Sequence, residues 1–280
     1  MESNQESQSP VAAMRLWKWS LELLLGFVVF FTAYGFCQGI GFVLENTWLK
    51  CISYVVASAL IVCLLLAWSR LFEKKWPLQL VDRQAFLYLS QGWIVGVLFF
   101  CSITLIFAVC GCYSGSFGYP QWSNIFLNFI SFLFVACGEE VIFRGLLYRM
   151  ISERFSMWLA LIVSSLFFGI VHIFNPGASL WSSIAIAIEA GLLLSAAYQY
   201  SGSLWLPIGI HWAWNFTQGN VFGFAVSGGD SGDSFFVSSA TGPELFTGGA
   251  FGPEASILAA VLGALISAFY IRMYLKKQKG

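Results

Sequence analysis

Long uninterrupted apolar runs organise this chain, separated by short polar stretches. A bilayer core of about 30 Å needs roughly 20 helical residues to cross it. Runs of about that length lie near residues 20–41, 51–71, 86–110, 122–147, 157–174, 179–199, 204–222 and 255–275. The pattern predicts an all-α polytopic membrane bundle of about eight transmembrane helices. No internal repeat and no soluble domain is visible.

The polar stretches order the spans. Residues 1–19 read as a disordered tail, 20–121 as the first three helices, 122–222 as a core of four, 223–254 as a Gly/Ser-rich loop, and 255–280 as a last helix with a basic tail. Basic residues fall on one side: Arg15 and Lys18, then Arg70, Lys74, Lys75 and Arg83, then Arg149 and Arg154, then Arg272, Lys276, Lys277 and Lys279. The other side has Lys50 and the acidic Asp230, Asp233, Glu244 and Glu254. By the positive-inside rule both termini are cytoplasmic and the 223–254 loop is extracytoplasmic. That loop reads either as a flexible connector or, through its repeated Gly-Pro-Glu at 242–244 and 252–254, as a lid of turns over the bundle.

Composition agrees. Hydrophobic residues make up 58% and charged residues 10%, with a mean hydropathy of +0.76. Soluble domains carry about a quarter charged residues, so a water-facing shell is excluded and the partner is the lipid bilayer; nothing points to nucleic acid. The seven cysteines show neither a zinc-knuckle spacing nor a disulfide framework. The first apolar run lacks a cleavage site and is expected to be retained.

Ionisable groups within the spans each need a reason, because burying one in lipid costs at least roughly 2.5–3.5 kcal/mol. Glu140 and Arg144 are four apart on one helical face and predict an ion pair. Glu139 points about 100° away, a carboxylate without that partner and so available as a general base towards water. Phe168 and His172 share a face four residues apart, with Gly169 permitting close helix approach, and so do His211 and Asn215. Two imidazoles, an amide and a carboxylate can hold a divalent metal or position a water and an oxyanion. Glu189 can support an imidazole or the arginine, or simply bond a neighbouring helix.

The ordered set Glu139-Glu140-x-x-x-Arg144, Phe168-x-x-x-His172 and His211-x-x-x-Asn215 resembles the three motifs of the CPBP family, the CAAX prenyl endopeptidase and bacteriocin-processing (Abi) proteins. The resemblance covers roughly residues 122–222. It implies an eight-helix intramembrane endopeptidase whose site opens to the cytosol, acting on a membrane-associated peptide or protein. Glu139 would activate water, His172 would help hold it, and His211 and Asn215 would stabilise the oxyanion. Glu140 and Arg144 would support the site, with Phe168 and Glu189 behind them. Glu139, His172 and His211 could form a Zn2+ triad, although the motifs are not HExxH. The short loops suggest a bacterial plasma membrane.

A non-proteolytic scaffold or bacteriocin immunity factor retaining the motifs is the alternative, and a proton-coupled transporter a third, which would want inverted repeats. By span counting, His172 lies near the outer end of its helix and Glu139 near the middle of its own, so contact between them demands tilt or a different span start.

Overall fold

The computed structural model describes residues 16–74, 79–230 and 232–279. Among them, seven helices are long and apolar enough to cross a membrane: α1 (Leu16–Val43), α2 (Thr47–Leu71), α3 (Ala85–Val109), α4 (Trp122–Arg154), α5 (Met157–Phe174), α6 (Leu180–Ser201) and α8 (Ile257–Lys279). The eighth expected span, α7, is Trp205–Phe216 carried on by a π turn, Thr217–Val221. It is shorter because it runs inside the bundle, with most of its residues buried, and has little lipid to match. The expected tail is corrected at its boundary. Residues 16–19 belong to α1, where Trp19 packs edge-on against Phe155; residues 1–15 lie outside the described residues.

Local chemistry sets the helix ends. Asn46 caps α2 by accepting from the amides of Trp48 and Leu49, and Ser156 caps α5 by accepting from Leu159. Ser179 and Ser182 form a reciprocal capping box at α6. Gly202, at φ 68°, closes α6 in the left-handed conformation that glycine adopts without strain. Apolar side chains that face outward, such as Phe36, Phe42, Phe86 and Leu105, form the lipid surface.

Helix α7 lies directly against α3. A Cβ at Gly92 would come within 2.3 Å of the Leu206 carbonyl, and one at Gly209 within 2.4 Å of the Leu89 carbonyl. The two glycines thus let backbone touch backbone, as small residues do between membrane helices. Gly169 likewise admits the Ser183 carbonyl, 2.3 Å from where its Cβ would stand.

The depth of the polar residues follows from α4, which runs to Arg154 rather than to residue 147. Glu139 lies fifteen residues before Arg154, and His172 fifteen after Met157, on the two arms of the α4–α5 hairpin. At 1.5 Å per residue both sit roughly 22 Å from the turn. The expected mismatch in depth is absent because α4 continues to Arg154, past residue 147.

The 223–254 segment is built rather than loose. Strand β2 (Phe236–Ala240) pairs antiparallel with β1 (Tyr113–Phe117), in register from Tyr113 opposite Ala240 to Phe117 opposite Phe236. Asp233 accepts from the Asn124 side chain at 2.8 Å. Beyond β2 the chain turns back into the bundle. Phe251, Glu254 and Ala255 are buried, the Trp181 indole donates to the Ala255 carbonyl at 2.8 Å, and the Gly228 amide donates to the Phe251 carbonyl at 2.8 Å.

Candidate functional site

The polar residues of the spans gather where α4, α5, α6 and α7 meet. Each contributing helix departs from α geometry there, α5 by ending in a 3₁₀ turn over His172–Phe174. Val141–Tyr148 of α4, Ala187–Leu192 of α6 and Thr217–Val221 of α7 are π-helical. Such stretches are frequent at functional sites because they free backbone groups from their usual partners. In α6 the freed carbonyls are used at once: the Arg144 guanidinium donates through Nη2 to Ala190 O at 3.2 Å and Gly191 O at 2.9 Å.

Arg144 is fully buried and accounts for the centre of the cluster. Its Nη1 pairs with Glu140 Oε1 at 2.8 Å, its Nε reaches Ser195 Oγ at 3.3 Å, and its plane lies 4.6 Å from the Phe168 ring centroid. The expected i, i+4 ion pair is therefore present, and Phe168 is the face on which the guanidinium rests. Glu189, which the sequence offered as a partner of Arg144 or of an imidazole, is not bonded to that arginine. Arg144 takes the carbonyls of the two residues after it, and both Glu189 oxygens are buried without a hydrogen-bond partner.

The two histidines are oriented through their Nδ1 atoms. His211 Nδ1 donates to Glu140 Oε1 at 2.9 Å, and His172 Nδ1 donates to the Phe168 carbonyl at 2.7 Å. Because both partners can only accept, Nε2 is the working atom of each ring. His211 Nε2 faces Glu139 Oε2 at 4.0 Å. That oxygen is buried and has no hydrogen-bond partner. The separation is too long for a direct bond and suits an atom held between the two. Glu140 is thus a hub, joined to Arg144 and His211 through the same oxygen.

A cavity of about 20 Å³ adjoins the imidazoles, lined by Phe168, His172, Glu189, His211, Asn215 and Glu254 among others. This is room for a single water. All the candidates from the sequence therefore meet in one place, with Glu139 on one side of His211 and Asn215 and Glu189 around the cavity.

Three contributors were missed. Tyr34 of α1 stands beside Glu139; it packs where Gly138 has no side chain, since a Cβ there would lie 2.4 Å from the Tyr34 ring. A tyrosine in an aromatic-rich span gave no sign of this. Ser195 was one small residue among others. Glu254 sits in the second Gly-Pro-Glu, whose repetition was the only hint. It accepts from the Ser227 amide.

Burial pushes the Glu254 carboxyl up to about 7, against hydrogen bonds from Ser227 and Gln218 and the nearby His211, which pull the other way. Its ordinary value is 4.5. A raised carboxyl favours the folded state while protonated, so its contribution is complete below about 4.5 and is lost as pH rises through about 7. We expect the melting temperature of the wild type to fall over that window by the equivalent of at most about 3 kcal/mol. Glu254→Gln should flatten that part of the profile; an unchanged slope would show that Glu254 does not cause it.

The donor chemistry suits a zinc ion, since each imidazole has Nδ1 anchored and Nε2 open. The spacing does not. Among the described residues no three His, Cys, Asp or Glu side chains converge to hold a metal.

Residues 120–217 match the family model of Rce1-like type II CAAX prenyl endopeptidases. No curated protein and no solved structure matches the chain. The matched third of the chain contains every residue of the three polar motifs that the helices bring together. The chain is thus a multi-pass membrane protein whose residues 120–217 resemble the Rce1-like type II CAAX prenyl endopeptidases.

Proposed function

We propose that the protein hydrolyses a peptide bond of a membrane-associated peptide or protein, using water activated by Glu139. One observation carries this reading. The unpartnered Oε2 of Glu139 faces Nε2 of His211 across 4.0 Å, while the other nitrogen of that ring is anchored on Glu140. A base and a hydrogen-bond donor thus flank a gap in which water and a carbonyl carbon can react.

In this mechanism Glu139 takes a proton as the water oxygen bonds to the carbonyl carbon. His172, fixed by the Phe168 carbonyl, presents Nε2 to hold that water. His211 lies between the carboxylates of Glu139 and Glu140 and can carry a proton on each nitrogen. It then donates from Nε2 to the oxyanion, with the Asn215 amide as second donor. Glu140 and Arg144 keep the His211 ring in place. The match of residues 120–217 to the Rce1-like family model supports the reaction class, and the compactness of the cluster supports the division of roles. A bacterial plasma membrane is the setting we infer from the short loops, with its own peptides as the substrate class.

The test is to incubate the purified protein in lipid nanodiscs with a library of membrane-tethered peptides and read new termini by mass spectrometry. Cleavage at a defined bond, with its rate unchanged by a chelator, is the expected result. Cleavage abolished by chelator and restored by zinc would overturn the metal-free roles given to Glu139, His172 and His211. No cleavage by a folded preparation would favour a scaffold or immunity factor.

A further inference from the structure

The imidazole pair has carboxyl groups on both sides. Glu139, with Tyr34 beside it, stands on one. On the other, Glu189 and Glu254 line the small cavity together with His172, His211 and Asn215. The two acids reach it from unrelated parts of the chain: Glu189 from the π stretch of α6, Glu254 from the extracytoplasmic segment folded back into the bundle. Glu189 is completely buried and neither of its oxygens has a partner. The Arg144 guanidinium is taken up by Glu140, Ser195 and the carbonyls of Ala190 and Gly191. A buried charge without partner is costly, so Glu189 enters the reaction as the acid. No lysine or arginine lines this cavity. The chamber therefore suits a group that gains positive charge, and peptide hydrolysis makes one such group, the new amine.

We propose that Glu189 is the catalytic acid that protonates the departing nitrogen, and that Glu254 is a positioning residue that holds the new amine beside it. This rests on the peptidase reading above. The water oxygen bonds to the carbonyl carbon and its proton passes to Glu139. The carbon–nitrogen bond then breaks, its electron pair stays on nitrogen, and nitrogen takes the proton of Glu189. On product release the proton on Glu139 replaces the one Glu189 lost, by way of His211, which faces Glu139 and lines the cavity with Glu189. One water is consumed and one acid and one amine are formed. The extracytoplasmic segment is on this account part of the active site.

An amine leaves only with a proton, whereas a thiolate leaves without one. The experiment compares a cleaved peptide with its thioester isostere, both tethered to nanodiscs, for wild type, Glu189→Gln and Glu254→Gln. Glu189→Gln is expected to slow amide cleavage by roughly 100-fold or more, the usual worth of a general acid, and to leave thioester cleavage within a few fold. Glu254→Gln should shift the same ratio more weakly, chiefly through KM. Thioester turnover also reports that each variant is folded; should Glu189→Gln fail to fold, Glu254→Gln, outside the spans, carries the same test. Equal loss of both substrates, or undiminished amide cleavage, overturns the assignment while leaving the peptidase intact. No cleavage of either substrate by the wild type overturns both.

Discussion

Glu139→Gln is expected to reduce peptide cleavage by roughly 10²–10⁴-fold, the range that general-base catalysis supplies, without loss of the fold. The amide keeps the shape of the side chain, but has no site for the proton of water. Because Oε2 of Glu139 has no hydrogen-bond partner, little structure depends on its charge. The melting temperature in detergent should therefore stay close to that of the wild type. A large drop in melting temperature would show that Glu139 is a structural carboxylate, and near-normal cleavage would remove it from the mechanism.

Arg144→Met should behave in the opposite way. Arg144 and Glu140 are both wholly buried, and the guanidinium also satisfies Ser195 and two carbonyls of the α6 π stretch. Removing it leaves an uncompensated carboxylate, which typically costs about 3–5 kcal/mol. For a chain of this size that corresponds to a fall of roughly ten degrees in melting temperature. Lysine should not restore it, since a single ammonium cannot reproduce the planar fork that reaches four neighbours at once. Wild-type stability in Arg144→Met would mean that the pair does not hold α4 against α6.

These two residues also show what could be read before the fold was known. Glu140 and Arg144 lie four apart on one helix, so their pairing is a local property that spacing reveals, and the same holds for Phe168 with His172 and His211 with Asn215. Long apolar runs revealed the spans for a similar reason, because the bilayer sets a length that the sequence must match. The role of Glu140 as an anchor for His211 was not legible, because it joins residues 71 positions apart. Tyr34 and Glu254 were missed on the same ground, being defined by helices and loops that pack together. The π stretches were hidden too. They follow from interhelical demands, such as the carbonyls offered to Arg144, and leave no periodic mark. The Gly/Ser-rich segment misled most, for composition that usually gives a loose linker here makes a strand and a buried turn.

Addition to a peptide bond of a water activated at Glu139 can be traced through the water oxygen. It is tested most directly by following cleavage of a tethered peptide in ¹⁸O-labelled water, wild type beside Glu139→Gln. The wild type should release a fragment whose new carboxyl group carries solvent ¹⁸O, and the folded variant almost none. Unlabelled product, or labelled product formed equally fast by Glu139→Gln, would contradict it.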